Sequence, residues 1–66
     1  MSGTIKNVNQ EKMYGFIIGD NGVEYFFHRE CLINSPDWEE CEKGRAVTFK
    51  PTDNPKGKRA EDVMVL

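Results

Sequence analysis

The chain has 66 residues, of which 38% are hydrophobic and 30% charged, and its formal net charge is −2. That composition excludes a disordered chain, and the length allows one small domain, since a chain of this size buries only about 60% of the surface it exposes when unfolded. The charge excludes any global attraction to a polyanion, so a nucleic-acid role requires the nine lysines and arginines to be gathered locally.

The N-terminal residues contain no apolar signal region, and no stretch is long enough to span a bilayer, which predicts a cytoplasmic protein without a membrane partner. Residues 3–9 (GTIKNVN) place β-branched Thr4, Ile5 and Val8 among polar residues and are expected to form the first strand. Residues 9–11 turn the chain. Residues 12–28 (KMYGFIIGDNGVEYFFH) read as a β-hairpin, with strands over 13–18 and 23–28 joined at a Gly19-Asp20-Asn21-Gly22 turn. Alternation puts Tyr14 and Phe16 on one face of its first strand and Gly15 and Ile17 on the other. On its second strand Phe26 and His28 share a face, opposite Tyr25 and Phe27. An ordinary half-buried hairpin hides its rings on one side. Here both sides carry them, so one face exposes rings.

After His28 the pattern breaks for about sixteen residues, a length at which loops are often functional. Cys31, Leu32 and Ile33 are an apolar patch able to pin this loop. Ser35, Pro36 and the acids that follow predict one short helical turn over residues 35–40, closed at Gly44. Residues 45–50 form the fourth strand, with Val47 and Phe49 on one face. Pro51 is expected to end its ladder, because proline has no N–H to donate. Residues 52–59 then read as a polar loop carrying Lys56, Lys58 and Arg59, and residues 60–66 as a fifth strand with Val63 and Val65 facing one way. Five short strands with a long third connection predict an all-β fold, a five-stranded antiparallel Greek-key barrel, because closure removes sheet edges.

At the hairpin the chain resembles a known family. Residues 12–17 (KMYGFI) are similar to the K-G-F-G-F-I motif of bacterial cold-shock domain proteins, and residues 25–28 (YFFH) to that family's V-F-V-H motif at the matching spacing. The similarity runs nearly end to end, through Gly3, Ile5, Lys6 and Asn9, residues 44–49, and Ala60 and Val63. It implies a single cold-shock-type domain over residues 1–66, an oligonucleotide-binding barrel that grips single-stranded RNA or DNA without a cofactor or metal. Carried over by position, Tyr14, Phe16 and Phe26 take the stacking sites with His28 beside them. Lys6 and Lys12 take basic positions, Lys56 that of the loop before the last strand, and Trp38 falls near an aromatic of the long loop. The chain also departs from the family. Asn7 and Val8 stand where a Trp and a Phe stack in the first strand, Arg29 stands where an aromatic follows the His, and Met13 replaces a Gly. Tyr25 and Phe27 replace inward valines. At about 1–3 kcal/mol per stacked base, losing one platform weakens binding by an order of magnitude, which Arg29 partly offsets by stacking or by pairing with phosphate.

Each feature has a plainer reading. The rings of Tyr14, Phe16 and Phe26 could fill a core or a dimer patch, but Ile17, Tyr25 and Phe27 already occupy the opposite face. Lys56, Lys58 and Arg59 suit a solvated loop as well as a groove border. Trp38 suits an anchor packed on its own barrel as well as a stacking platform. His28, Cys31 and Cys41 have unfamiliar spacing for zinc. The cysteines form no C-x-x-C pair and read as free thiols rather than a disulfide. No nucleophile–base pair is visible, so an enzyme is not expected. The expected partner is single-stranded RNA or DNA, bound by a monomer. The alternative is a protein-interaction or homodimerisation module on the same barrel.

Overall fold

The computed structural model describes residues 1–33 and 38–66, the Glu39 side chain excepted. Five strands follow in order: β1 (Ser2–Asn9), β2 (Tyr14–Gly19), β3 (Glu24–His28), β4 (Ala46–Asn54) and β5 (Gly57–Val65). They close into a barrel with neighbours β1-β2-β3-β5-β4. All pairs are antiparallel except β3 with β5, which meet in parallel at Phe26 and Arg59. The expected all-β barrel is therefore present, closed by a parallel seam between β3 and the last strand, β5.

Local chemistry explains the joints. Between β1 and β2, the Asn9 side chain accepts the Lys12 amide (2.9 Å) and its carbonyl accepts the Met13 amide (2.9 Å). This turn holds Met13 in the left-handed region at φ 59, a conformation that costs an L-residue about 1–2 kcal/mol. Between β2 and β3, Gly22 (φ 80) supplies the positive φ the turn needs, and Asn21 Oδ1 accepts the Val23 amide. Gly15 is required for another reason. It lies opposite Val8, and a Cβ there would sit 2.5 Å from the Asn7 carbonyl oxygen. β1 and β2 approach closely only because that atom is missing.

The core holds Ile5, Ile17, Tyr25, Phe27, Val47, Phe49, Ala60, Val63 and Val65, together with Cys31, Trp38 and Cys41. Phe27 is wholly buried, and its ring centroid lies 5.6 Å from that of Trp38, while Tyr25 lies 5.0 Å from Phe49. Strand alternation thus turns Tyr25 and Phe27 inward as expected. Val63 and Val65 point in, and Met64 points out.

Two expectations fail. Pro51 does not end β4. The Phe49 amide and carbonyl both bond Met1, and alternation turns the nitrogen of residue 51 to that same side, beyond the reach of β1, where no ladder bond is lost. On its other side β4 continues to pair with β5 as far as Asn54 opposite Gly57. The predicted loop over residues 52–59 is consequently a hairpin with a tight turn at Pro55 and Lys56, where Asn54 Oδ1 accepts the Lys56 amide at 2.9 Å. The helical turn is a 3-10 turn at Trp38–Glu40; the cap expected at Ser35 and Pro36 lies outside the described residues. A second 3-10 turn, Arg29–Cys31, follows β3 directly, and Gly44 (φ 91) leads into β4. Among the described residues no helix is long and apolar enough to cross a membrane.

Candidate nucleic-acid interface

The β2–β3 register sets Tyr14 opposite His28 and Phe16 opposite Phe26. Directly opposed residues share a face, so these four side chains gather on the outside of the barrel, each half-buried. Ring centroids are 6.3 Å apart for Tyr14 and Phe16, 5.6 Å for Tyr14 and Phe26, and 5.8 Å for Phe16 and Phe26. Tyr14 and Phe26 are tilted by 31°, whereas Phe16 stands edge-on to both. His28 Nδ1 accepts the Glu30 amide at 3.2 Å.

β1 completes the face on one side. Its register reaches Ile17 from Ile5 and then Phe16 from Asn7, so Lys6 is an extra, bulged residue. The bulge leaves both Lys6 and Asn7 exposed, with Asn7 beside Phe16 and Asn9 beside Tyr14. Lys6 Nζ reaches across β2 to Glu24 Oε2 at 3.1 Å. As an exposed pair this is worth about 0–1 kcal/mol, so a phosphate competes for the lysine easily.

The other side is built by the β4–β5 hairpin. A groove of about 700 Å3 lies between it and the rings, lined by Phe16, Glu24, Phe26, Pro55, Lys56 and Arg59 among others. The sequence leaves Arg59, with Lys56 and Lys58, between a solvated loop and a groove border; the structure places it on β5, paired with Phe26. Its guanidinium carbon sits 5.8 Å from the Phe26 ring centroid, at the outer limit of a cation–π contact. Nη2 donates to Cys31 Sγ (3.6 Å), and Nε lies 2.9 Å from Glu61 Oε1 in an ion pair. The contact with Cys31, and then the Glu61 carboxylate, hold Arg59 further toward its charged form. The sequence cue was the Asn54-Pro55-Lys56-Gly57 turn, which places residue 59 on a strand.

The other cations differ in how far they are engaged. Lys58 pairs with Asp53 at 2.9 Å. Lys12, Arg29 and Lys56 have no acid partner among the described residues. Arg29 extends the β2–β3 pairing through its amide to the Met13 carbonyl (3.0 Å), and its Nη1 contacts Met13 Sδ at 3.6 Å. Lys12 stands in the β1–β2 turn and Lys56 at the hairpin tip. Trp38 requires a correction. It is 6% exposed and packs inside on Phe27, and its Nε1 has no hydrogen-bond partner among the described residues. The large ring at position 27 offers the indole an apolar partner, and the outer face loses it as a platform. Cys31 and Cys41 are also core residues, and burial pushes the Cys41 thiol up, with Arg45 opposing. Among the described residues no three His, Cys, Asp or Glu side chains group to hold a metal.

The five-stranded barrel agrees with what comparison with known proteins finds. The "'Cold-shock' DNA-binding domain" family matches residues 1–66. The chain belongs to the cold-shock domain family. It is 42% identical over 62 residues to the cold shock protein ScoF of Streptomyces coelicolor, covering 94% of this chain and 92% of that one. It is 37% identical over 65 residues to the cold shock protein CapB of Pseudomonas syringae pv. tomato, covering 98% and 93%. With the cold shock-like protein CspA of Shewanella violacea the identity is 35% over 65 residues, again covering 98% and 93%. The chain is thus a cold-shock-type, nucleic-acid-binding domain and not an enzyme.

Proposed function

We propose that this cold-shock domain binds single-stranded RNA or DNA with low sequence preference and acts as an RNA chaperone. Bases stack on Tyr14, Phe16 and Phe26, and bases so held are unavailable for pairing. His28 flanks the stack, while Lys12, Arg29 and Lys56 hold phosphates, joined by Lys6 once phosphate displaces Glu24. The observation that carries this reading is the cluster of three rings that touch one another on an outer barrel face and remain half-exposed. Rings placed to stabilise the fold would be covered, and stacking on exposed ones is sequence-tolerant because every base has a π-face. The proposed partner is one strand bound by a monomer.

The test is a titration of labelled oligonucleotides of about seven to ten nucleotides at two salt concentrations, on wild type and Phe16→Ala. Salt-sensitive binding that Phe16→Ala weakens supports the proposal. Wild type that binds nothing at tens of micromolar sinks it. Self-association abolished by Phe16→Ala, seen by sedimentation, would make the ring face a homodimer interface instead.

A further inference from the structure

Asn7 occupies a position that stacking alone does not explain. Strict alternation from the buried Ile5 would turn residue 7 inward. The bulge at Lys6 turns it outward and sets it directly opposite Phe16. Bulges characteristically re-aim one side chain in this way, and opposed residues bring their Cβ atoms to about 4.5–5.5 Å. The Asn7 carboxamide therefore stands beside the ring in the middle of the platform. It has no hydrogen-bond partner among the described residues. Its polar neighbours are engaged: Lys6 with Glu24, and Asn9 Oδ1 with the Lys12 amide.

We propose that Asn7 reads the edge of the base stacked on Phe16, so that this one position of an otherwise sequence-tolerant track depends on hydrogen bonding. The inference rests on the ring face being the stacking platform. A carboxamide offers an acceptor oxygen and an N–H donor side by side. That pattern fits a base edge with an amine beside a ring nitrogen, and the N6 amine and N7 of adenine are its best-matched partner. An amide has almost no area on which to stack, so its contribution here is directional. Phe16 supplies the platform and Asn7 the discrimination.

The test uses oligodeoxyadenylates of about six nucleotides, a length chosen to fill the track in a single register. Each position in turn carries 4-methylindole, a nonpolar isostere of adenine that stacks but has no hydrogen-bonding edge. In wild type, one position is expected to weaken binding about tenfold, and the others to change little. In Asn7→Ala that position no longer stands out. Because Asn7 is exposed, the variant's unfolding midpoint should match wild type, which separates lost contact from lost fold. A flat scan in a wild type that binds overturns the inference and leaves the stacking proposal standing. A sensitive position that persists in Asn7→Ala also overturns it. Absence of any binding overturns both.

Discussion

The two faces of the β2–β3 ribbon carry similar rings in different circumstances. On the inner face Tyr25 and Phe27 are 5% and 0% exposed and are closed over by Phe49 and Trp38. On the outer face Tyr14, Phe16 and Phe26 touch one another and remain half-exposed, with the Arg59 guanidinium at the margin of Phe26. A ring whose partners are all in place contributes to stability. A ring with one open side has an unused surface of about the size of a base. Residue type does not separate the two roles. Coverage does.

The largest effect expected from breaking this contrast is on the inner face. Phe27→Ala should cost about 3–5 kcal/mol, most of the roughly 3–10 kcal/mol available to a domain of this length, and denaturant unfolding measures it. Phe16→Ala should instead cost about 1–2 kcal/mol of stability, clearly less than Phe27→Ala, through the ring contacts it loses, and weaken oligonucleotide affinity by about 1–3 kcal/mol, roughly 5- to 150-fold. Equal loss of stability from both substitutions would erase the distinction. The margins of the outer face give a smaller effect. If Lys6, Lys12, Arg29 and Lys56 each neutralise one phosphate, log affinity should fall with log salt at a slope of about −3, and Lys56→Ala should reduce that slope by about 0.7. Met13→Gly is expected to stabilise the fold by about 0.5–1 kcal/mol by relieving the positive φ, raising Tm by a few degrees. The smallest expected effect is none at all: Trp38 emission should follow unfolding and stay unchanged on oligonucleotide binding, since the indole lies on the inner face.

Where sequence reasoning succeeded, a local rule was enough. Period-two alternation assigned Tyr14, Phe16 and Phe26 to one face and Ile17, Tyr25 and Phe27 to the other, and the Asp20-Asn21-Gly22 run marked the turn. Where it failed, the decisive fact lay elsewhere in the chain. Whether Pro51 ends β4 depends on how far β1 extends beside it, which no property of residue 51 reveals. That error hid the β4–β5 hairpin and left Arg59 in a loop rather than on β5, although the Asn54-Pro55-Lys56-Gly57 turn was there to be read. Trp38 is equally apt for a base or for Phe27, and only the closed barrel decides between them. The exposure of Asn7 depends on a bulge that leaves no periodic trace, since a single extra residue resembles an ordinary step along the strand.

The most direct test of the coverage argument is an NMR measurement of contacts between oligonucleotide base protons and aromatic ring protons at saturation. Contacts to Tyr14, Phe16 and Phe26, with none to Tyr25, Phe27 or Trp38, are the predicted result. Base contacts to Trp38, or to the exposed Met64 and Leu66 with none to Phe16 or Phe26, would contradict it.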